Sequence, residues 1–264
     1  SGDKRGVNRT LTGLGNLHAM QGRLDEAEHA YAEANAIQPR SIDQRSVAIN
    51  LGNMGIICAI QGRMEEARAH FENALLSHRA VGNLAGECLA LRNLAELHVV
   101  ENRLSEALAC LEASLSCSRE LGSRRDEAGA LAGLAELHRQ AGREEQAYTA
   151  AVEACRIAKE VGDTRAEGAL MTTFARLNLG RGDVPAAARN LLEGERILRA
   201  ATDSPELAKL LCVRARLELT LGGASAAGEC LREAETLAFQ MKIADKSEVG
   251  RLIAALRLDL QADD

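Results

Sequence analysis

The sequence predicts an all-α fold: six antiparallel helix pairs in one solenoid, followed by a C-terminal helix. Three observations carry that prediction. A turn residue returns every 40 positions, at Gly22, Gly62, Gly142, Gly182 and Gly222, with Asn102 completing the series. Glycine and asparagine adopt positive φ most readily, so this column reads as the tight turn inside a helix pair. Two columns of small residues keep step with it: Gly15, Gly55, Ala95, Ala135, Ala175 and Ala215 before the turn, and Ala27, Ala67, Ala107, Ala147, Ala187 and Ala227 after it. Finally, 46% of the 264 residues are hydrophobic but only 2% are aromatic. Leu, Ala, Val and Ile must therefore fill the core, which favours helix over sheet.

The first helix of each pair carries Leu11, Leu51, Leu91, Leu131, Met171 and Leu211, then Leu14, Met54, Leu94, Leu134 and Phe174. With the small column these form one apolar stripe at i, i+3, i+4 spacing. The second helix continues from its alanine to Tyr31, Phe71, Leu111, Ala151, Leu191 and Leu231. A small residue required at the same place in every copy predicts two helix backbones in close approach. Gly82, Gly122 and Gly162 mark the turn from one pair to the next. The 3 prolines fall at junctions: Pro39 after a second helix, Pro185 in a first turn after Asp183, and Pro205 after an expected N-cap at Ser204. Repeats are thus expected at about residues 2–41, 42–81, 82–121, 122–161, 162–201 and 202–241 of a single domain spanning residues 1–264. Residues 242–264, with Val249, Leu252, Ile253 and Leu256 at helical spacing, read either as a capping helix or as the start of a truncated seventh repeat. Leu252 and Leu256 are expected to be exposed there.

Charge and composition exclude several classes of function. A net charge of −6, from 32 basic and 38 acidic residues interspersed along the chain, offers no basic stripe for phosphates, so nucleic acid is not an expected partner. No run of 18 apolar residues could cross a bilayer, and no membrane association is expected. Seven cysteines, odd in number and without a C-x-x-C pair, read as reduced buried thiols of a cytoplasmic protein. The chain begins Ser1-Gly2 rather than Met, without a targeting segment ahead of the first periodic stretch, which reads as the remnant of a cleaved tag and leaves open whether the chain is a fragment of a longer polypeptide.

The first repeat, Leu11, Leu14-Gly15, His18, Gly22, Leu24, Ala27, Tyr31, Ala34 and Pro39, resembles the tetratricopeptide repeat (TPR) family, and the resemblance extends over essentially the whole chain. The 40-residue period, Leu14-Gly15-Asn16 and Leu51-Gly52-Asn53 are similar to its longer Leu-Gly-Asn subclass. Tryptophan is absent, and His or Cys often replaces the family's Tyr. The resemblance implies a right-handed superhelix whose first helices line a concave groove, and a non-catalytic module that binds a partner peptide or protein segment there. An adaptor or regulatory part of a bacterial signalling protein is the expectation; a self-associating scaffold, or the regulatory region of a larger kinase, ATPase or transcription regulator, is the alternative. Fold alone does not assign function.

Register with the family places Asn16, Asn53, Asn93, Arg92, Glu96, Glu136, Arg139, Arg176 and Arg216 on the groove face. An asparagine offers both a donor and an acceptor to an extended peptide backbone, and arginine can grip carboxylates in bidentate fashion. Ile49, Ile56, Ala59 and Ile60 make the second repeat's part of the groove apolar, a docking place for a hydrophobic side chain. No catalytic constellation, cofactor site or metal site is expected. His18, His98 and His138 share one repeat position and so point in parallel, each replacing a packing tyrosine, and the acid pairs after each turn suit a helix N-terminus.

Overall fold

The computed structural model describes residues 4–37, 44–202 and 204–262. The chain divides into two compact units, Ser1–Ser123 and Arg124–Asp264. Unit 1 holds α1 (Lys4–Met20), α2 (Leu24–Ile37), α3 (Gln44–Ile60), α4 (Met64–Ala80), α5 (Leu84–Val100) and α6 (Leu104–Leu121). Unit 2 holds α7 (Arg124–Gln140), α8 (Glu144–Val161), α9 (Thr164–Gly180), α10 (Val184–Ala201), α11 (Ser204–Thr220), α12 (Ala224–Gln240) and α13 (Glu248–Ala262).

Every helix pair closes through the same turn. Gly22, Gly62, Gly142, Gly182 and Gly222 have φ between 69° and 79°, and Asn102 takes the same left-handed conformation at 59°. The next N–H then returns to a carbonyl of the preceding helix, as from Arg63 to Cys58 at 2.8 Å and from Asp183 to Asn178 at 2.9 Å, satisfying an orphan acceptor. The inter-repeat column behaves alike at Gly82, Gly122 and Gly162, and continues through Thr202 and Lys242, which adopt positive φ without being glycine. Asp163 and Asp183 cap α9 and α10, accepting from the N–H of Ala166 and Ala186 at 3.1 and 3.0 Å. Pro185 lies in the first turn of α10, where no N–H is needed. Helix α11 starts at Ser204 itself, with Pro205 second, and Pro39 lies outside the described residues.

Packing follows chain order within each unit. Each second helix leans on the next first helix (α2 on α3, α4 on α5, α8 on α9, α10 on α11, α12 on α13), while first helices meet directly at α3–α5, α7–α9, α9–α11 and α11–α13. Those contacts make the all-α solenoid. In unit 1, Ile57 packs with Leu24, Ala27 and Tyr31, and Leu94 and Leu97 pack with Ala67 and Phe71. In unit 2 the core runs from Ala175 and Leu191 through Leu211, Leu217 and Leu231 to Val249, Ile253 and Leu256.

One expectation gains detail and one is corrected. In the small column before the turn, the missing side-chain volume is taken up by a side chain of the second helix. A β-carbon on Gly15 would lie 2.5 Å from the Tyr31 ring, and one on Gly55 2.5 Å from the Phe71 ring. Where the second helix offers Leu111, Ala151, Leu191 or Leu231, the facing residue is alanine. Leu256 is not exposed: α13 turns it fully into the core with Val249 and Ile253, leaves Leu252 half-buried, and exposes Leu258.

Candidate binding face

The first helices of unit 1 bring apolar residues to an open face. Ile49 and Ile56 stand two turns apart on α3, 44% and 41% exposed, and Leu89 stands on the adjoining α5 at 41%. Ile49 and Leu89 share one repeat position, so neighbouring helices continue the same stripe. Ala59 and Ile60, near the end of α3, are half-buried. Solvent-exposed β-branched and leucine side chains cost free energy in a monomer's surface and mark surfaces that another molecule can cover.

Among the asparagines, Asn16 and Asn53 meet. Tyr31 donates its hydroxyl to Asn16 Oδ1 at 2.7 Å, and Asn53 Nδ2 donates to the same oxygen at 3.2 Å. Burial pushes the Tyr31 phenol above its ordinary value, with the Asn53 amide acting in the opposite direction. Asn16 is exposed and Asn53 half-buried; Asn93 is buried in α5, Arg92 beside it is half-buried and Glu96 is exposed. A residue the sequence reading passed over completes this region. Asn50 is fully buried on α3, accepts from Thr12 Oγ1 at 2.9 Å and donates to Asn35 Oδ1 at 2.9 Å. It ties α1, α2 and α3 together. Its signal in the sequence is an amide in a column otherwise held by Thr10, Ala90, Ala130, Leu170 and Leu210.

In unit 2 the expected groove charges find one another. Arg139 grips Glu136 with both nitrogens, at 2.9 and 2.7 Å, and Arg176 of the next first helix reaches Glu136 at 3.5 Å. Burial raises the Glu136 carboxyl, but hydrogen bonds from Arg139 and the Arg176 charge outweigh it and hold the group below its ordinary value. Lys209 bridges Glu206 at 3.1 Å and Glu248 at 2.7 Å, and Arg216 meets Asp259 at 3.3 Å. A guanidinium already paired bidentately offers little to an incoming carboxylate.

His98 is buried, while His18 and His138 are half-buried. Among the described residues no three His, Cys, Asp or Glu side chains gather around a common point that could hold an ion, and the seven cysteines are free thiols. No helix of the described residues is long and apolar enough to cross a membrane.

The family described as the MalT-like TPR region matches residues 43–264. The chain belongs to this TPR family. No curated protein matches the chain in sequence. Among solved structures, the TPR chain is similar to a Rap protein complexed with Competence and Sporulation Factor, at 13% identity and a TM-score of 0.69, over 98% of this chain and 77% of that one. It is similar to NprR in complex with its cognate peptide NprX at 13% identity and a TM-score of 0.73, over 96% and 72%. It is also similar to aspartyl phosphate phosphatase F from Bacillus subtilis at 10% identity and a TM-score of 0.75, over 90% of this chain and 61% of the phosphatase. At these identities the likeness is one of fold.

Proposed function

We propose that this TPR chain is a non-catalytic interaction module that holds a segment of a partner peptide or protein against the first helices of unit 1. The observation that carries the reading is the apolar stripe Ile49, Ile56 and Leu89, open to solvent on two adjoining helices and flanked by the amides of Asn16 and Asn53. The apolar residues take a hydrophobic side chain; the amides take its backbone. Structures of two similar folds, the Rap protein and NprR, contain a bound factor and a cognate peptide, which supports a peptide as the ligand class. An adaptor or regulatory role in signalling, in the cytoplasm and without nucleic acid or membrane as partner, belongs to the same proposal. The paired cations of unit 2 favour a ligand chosen for apolar side chains over one chosen for acidic ones.

Selection of peptides from a displayed library on the purified chain, followed by calorimetry, tests this. Ile56→Asp is expected to weaken a selected peptide at least about tenfold, because it places a charge where an apolar side chain docks, with thermal stability unchanged. Asn53→Ala tests the amides; loss of affinity at unchanged thermal stability supports backbone reading, while unchanged affinity and stability remove it. Self-association is the second reading, favoured by Leu192 on α10, which is exposed together with Val152 on α8. Light scattering that finds a monomer at all concentrations removes it.

A further inference from the structure

Several helical glycines of this chain make room for a neighbour. A β-carbon on Gly15, Gly55, Gly86, Gly168 or Gly194 would lie 2.3–2.8 Å from a packed side chain. Gly52, in the middle of α3, has no such neighbour: nothing stands within 4 Å of its β-carbon position, and it does not share the positive φ of the turn glycines. The other repeats place Thr12, Arg92, Ala132, Thr172 and Cys212 at this position. Glycine is among the poorest residues for a helix interior, so α3 is weakened at Gly52 although neither its backbone nor its packing requires the missing side chain.

The residues around this bare stretch lie on the open face. Ile49 and Ile56, 44% and 41% exposed, come three residues before and four after Gly52 on the same side of the helix, and half-buried Asn53 flanks it. Two isoleucine ridges thus border a dip that reaches the helix backbone. One turn before Ile49, Arg45 is exposed. Its counterpart Arg125 pairs with Asp163 at 3.2 Å, but the equivalent of Asp163 here is Asn83, whose side chain is engaged by His78 Nδ1 at 2.9 Å and the Gly86 N–H at 3.4 Å. Glu87, the carboxylate that acts on His78 together with Arg45, is held by Arg79 at 2.7 Å. Arg45 is left without a carboxylate partner among the described residues.

We infer that Gly52 is the specificity-determining floor of a pocket between Ile49 and Ile56, which admits one side chain of leucine size or larger from an extended partner segment, and that Arg45 receives an Asp or Glu of the same segment. Gly52 and Arg45 are seven residues apart on α3, about 10 Å, a distance an extended chain spans in about three residues. The acid therefore belongs about two to four positions from the apolar anchor. This inference rests on the reading that a peptide binds the open face of unit 1, and names the side chains that the peptide carries.

Peptides selected from a displayed library on the whole chain, then titrated by calorimetry, test it. They are expected to share Leu, Met or an aromatic residue with Asp or Glu about two to four positions away. Gly52→Ala should raise the melting temperature by about 1–4 °C, because helix propensity improves and nothing obstructs the methyl group, yet weaken a selected peptide about threefold or more. Gly52→Leu should weaken it about tenfold or more, and much less when the peptide's anchor is shortened to alanine. Gly228→Ala in α12, where only the flexible end of Arg232 lies near, should raise the melting temperature alike and leave affinity unchanged. Arg45→Glu should weaken peptides carrying the acid about threefold to tenfold. Affinity unchanged in both Gly52 variants while Ile56→Asp still weakens the peptide would overturn the pocket and leave the binding face standing; affinity indifferent to Ile56→Asp as well would remove the face and the pocket with it. A lower melting temperature in Gly52→Ala, showing that α3 itself requires the glycine, or selected peptides without a bulky apolar residue would also overturn the inference.

Discussion

At Gly15 and Gly55 the second helix lays an aromatic ring where a β-carbon would stand, and the pairing of residue types across the hairpin follows from it. Gly55→Ala is expected to cost about 1–3 kcal/mol by overpacking against Phe71. Adding Phe71→Leu, which recreates the Ala95 and Leu111 pairing, should recover much of that loss in a double-mutant cycle measured by urea unfolding. Histidine gives a second residue-scale prediction. His78 is buried, its Nδ1 lies 2.9 Å from Asn83 Nδ2, and its ring fills the space left by Gly86. Burial lowers the pKa values of His70, His78 and His98 below the ordinary 6.5; nearby arginines add to it at His78 and His98, while Glu28 and Glu66 oppose it at His70. The unfolded chain therefore takes up protons first as pH falls. Stability from these groups is full above about pH 6.5 and is lost from there toward the lower folded-state values. His78→Gln should flatten part of that slope; an unchanged profile would show that His78 does not contribute.

At the scale of the helix, the ends and the last element decide most. Asp183→Ala removes the acceptor for the Ala186 N–H and should cost about 1 kcal/mol. Leu256→Ala in α13 should cost about 2–5 kcal/mol, read as a shift in the denaturation midpoint, because α13 is part of the core of unit 2. Helix existence, hairpin pairing and turn position were legible in the sequence because glycine at positive φ and alanine against a bulky side chain leave few alternatives at Gly62 or Ala67. The face of α13 was not: Leu252, Leu256 and Leu258 are equally apolar, and only the packing of α13 on α11 and α12 decides which one points inward. The candidate site was legible by face but not by bond. Ile56 could be assigned to an open surface from its register, whereas the sharing of Asn16 by Tyr31 and Asn53 depends on which atoms meet across a junction. The same holds for the capture of Arg139 and Arg176 by Glu136. Asn50 escaped notice because a buried amide looks like any polar residue until its two partners are located.

Across the whole chain, each compact unit has its own buried apolar clusters, and the repeats contribute near-neighbour packing within it. Residues 1–123 and 124–264 expressed separately are each expected to keep helical circular dichroism and unfold cooperatively; a fragment without helix would contradict that division. The binding chemistry proposed for the first unit is apolar and amide, whereas the expected groove charges of the second unit are paired with one another. The most direct test of the binding account is the affinity of a library-selected peptide for the unaltered chain, for Ile56→Asp, and for Leu192→Asp on the outer helices. The account predicts a loss of about tenfold or more with Ile56→Asp and no change with Leu192→Asp; equal affinity for all three, or loss only with Leu192→Asp, would contradict it.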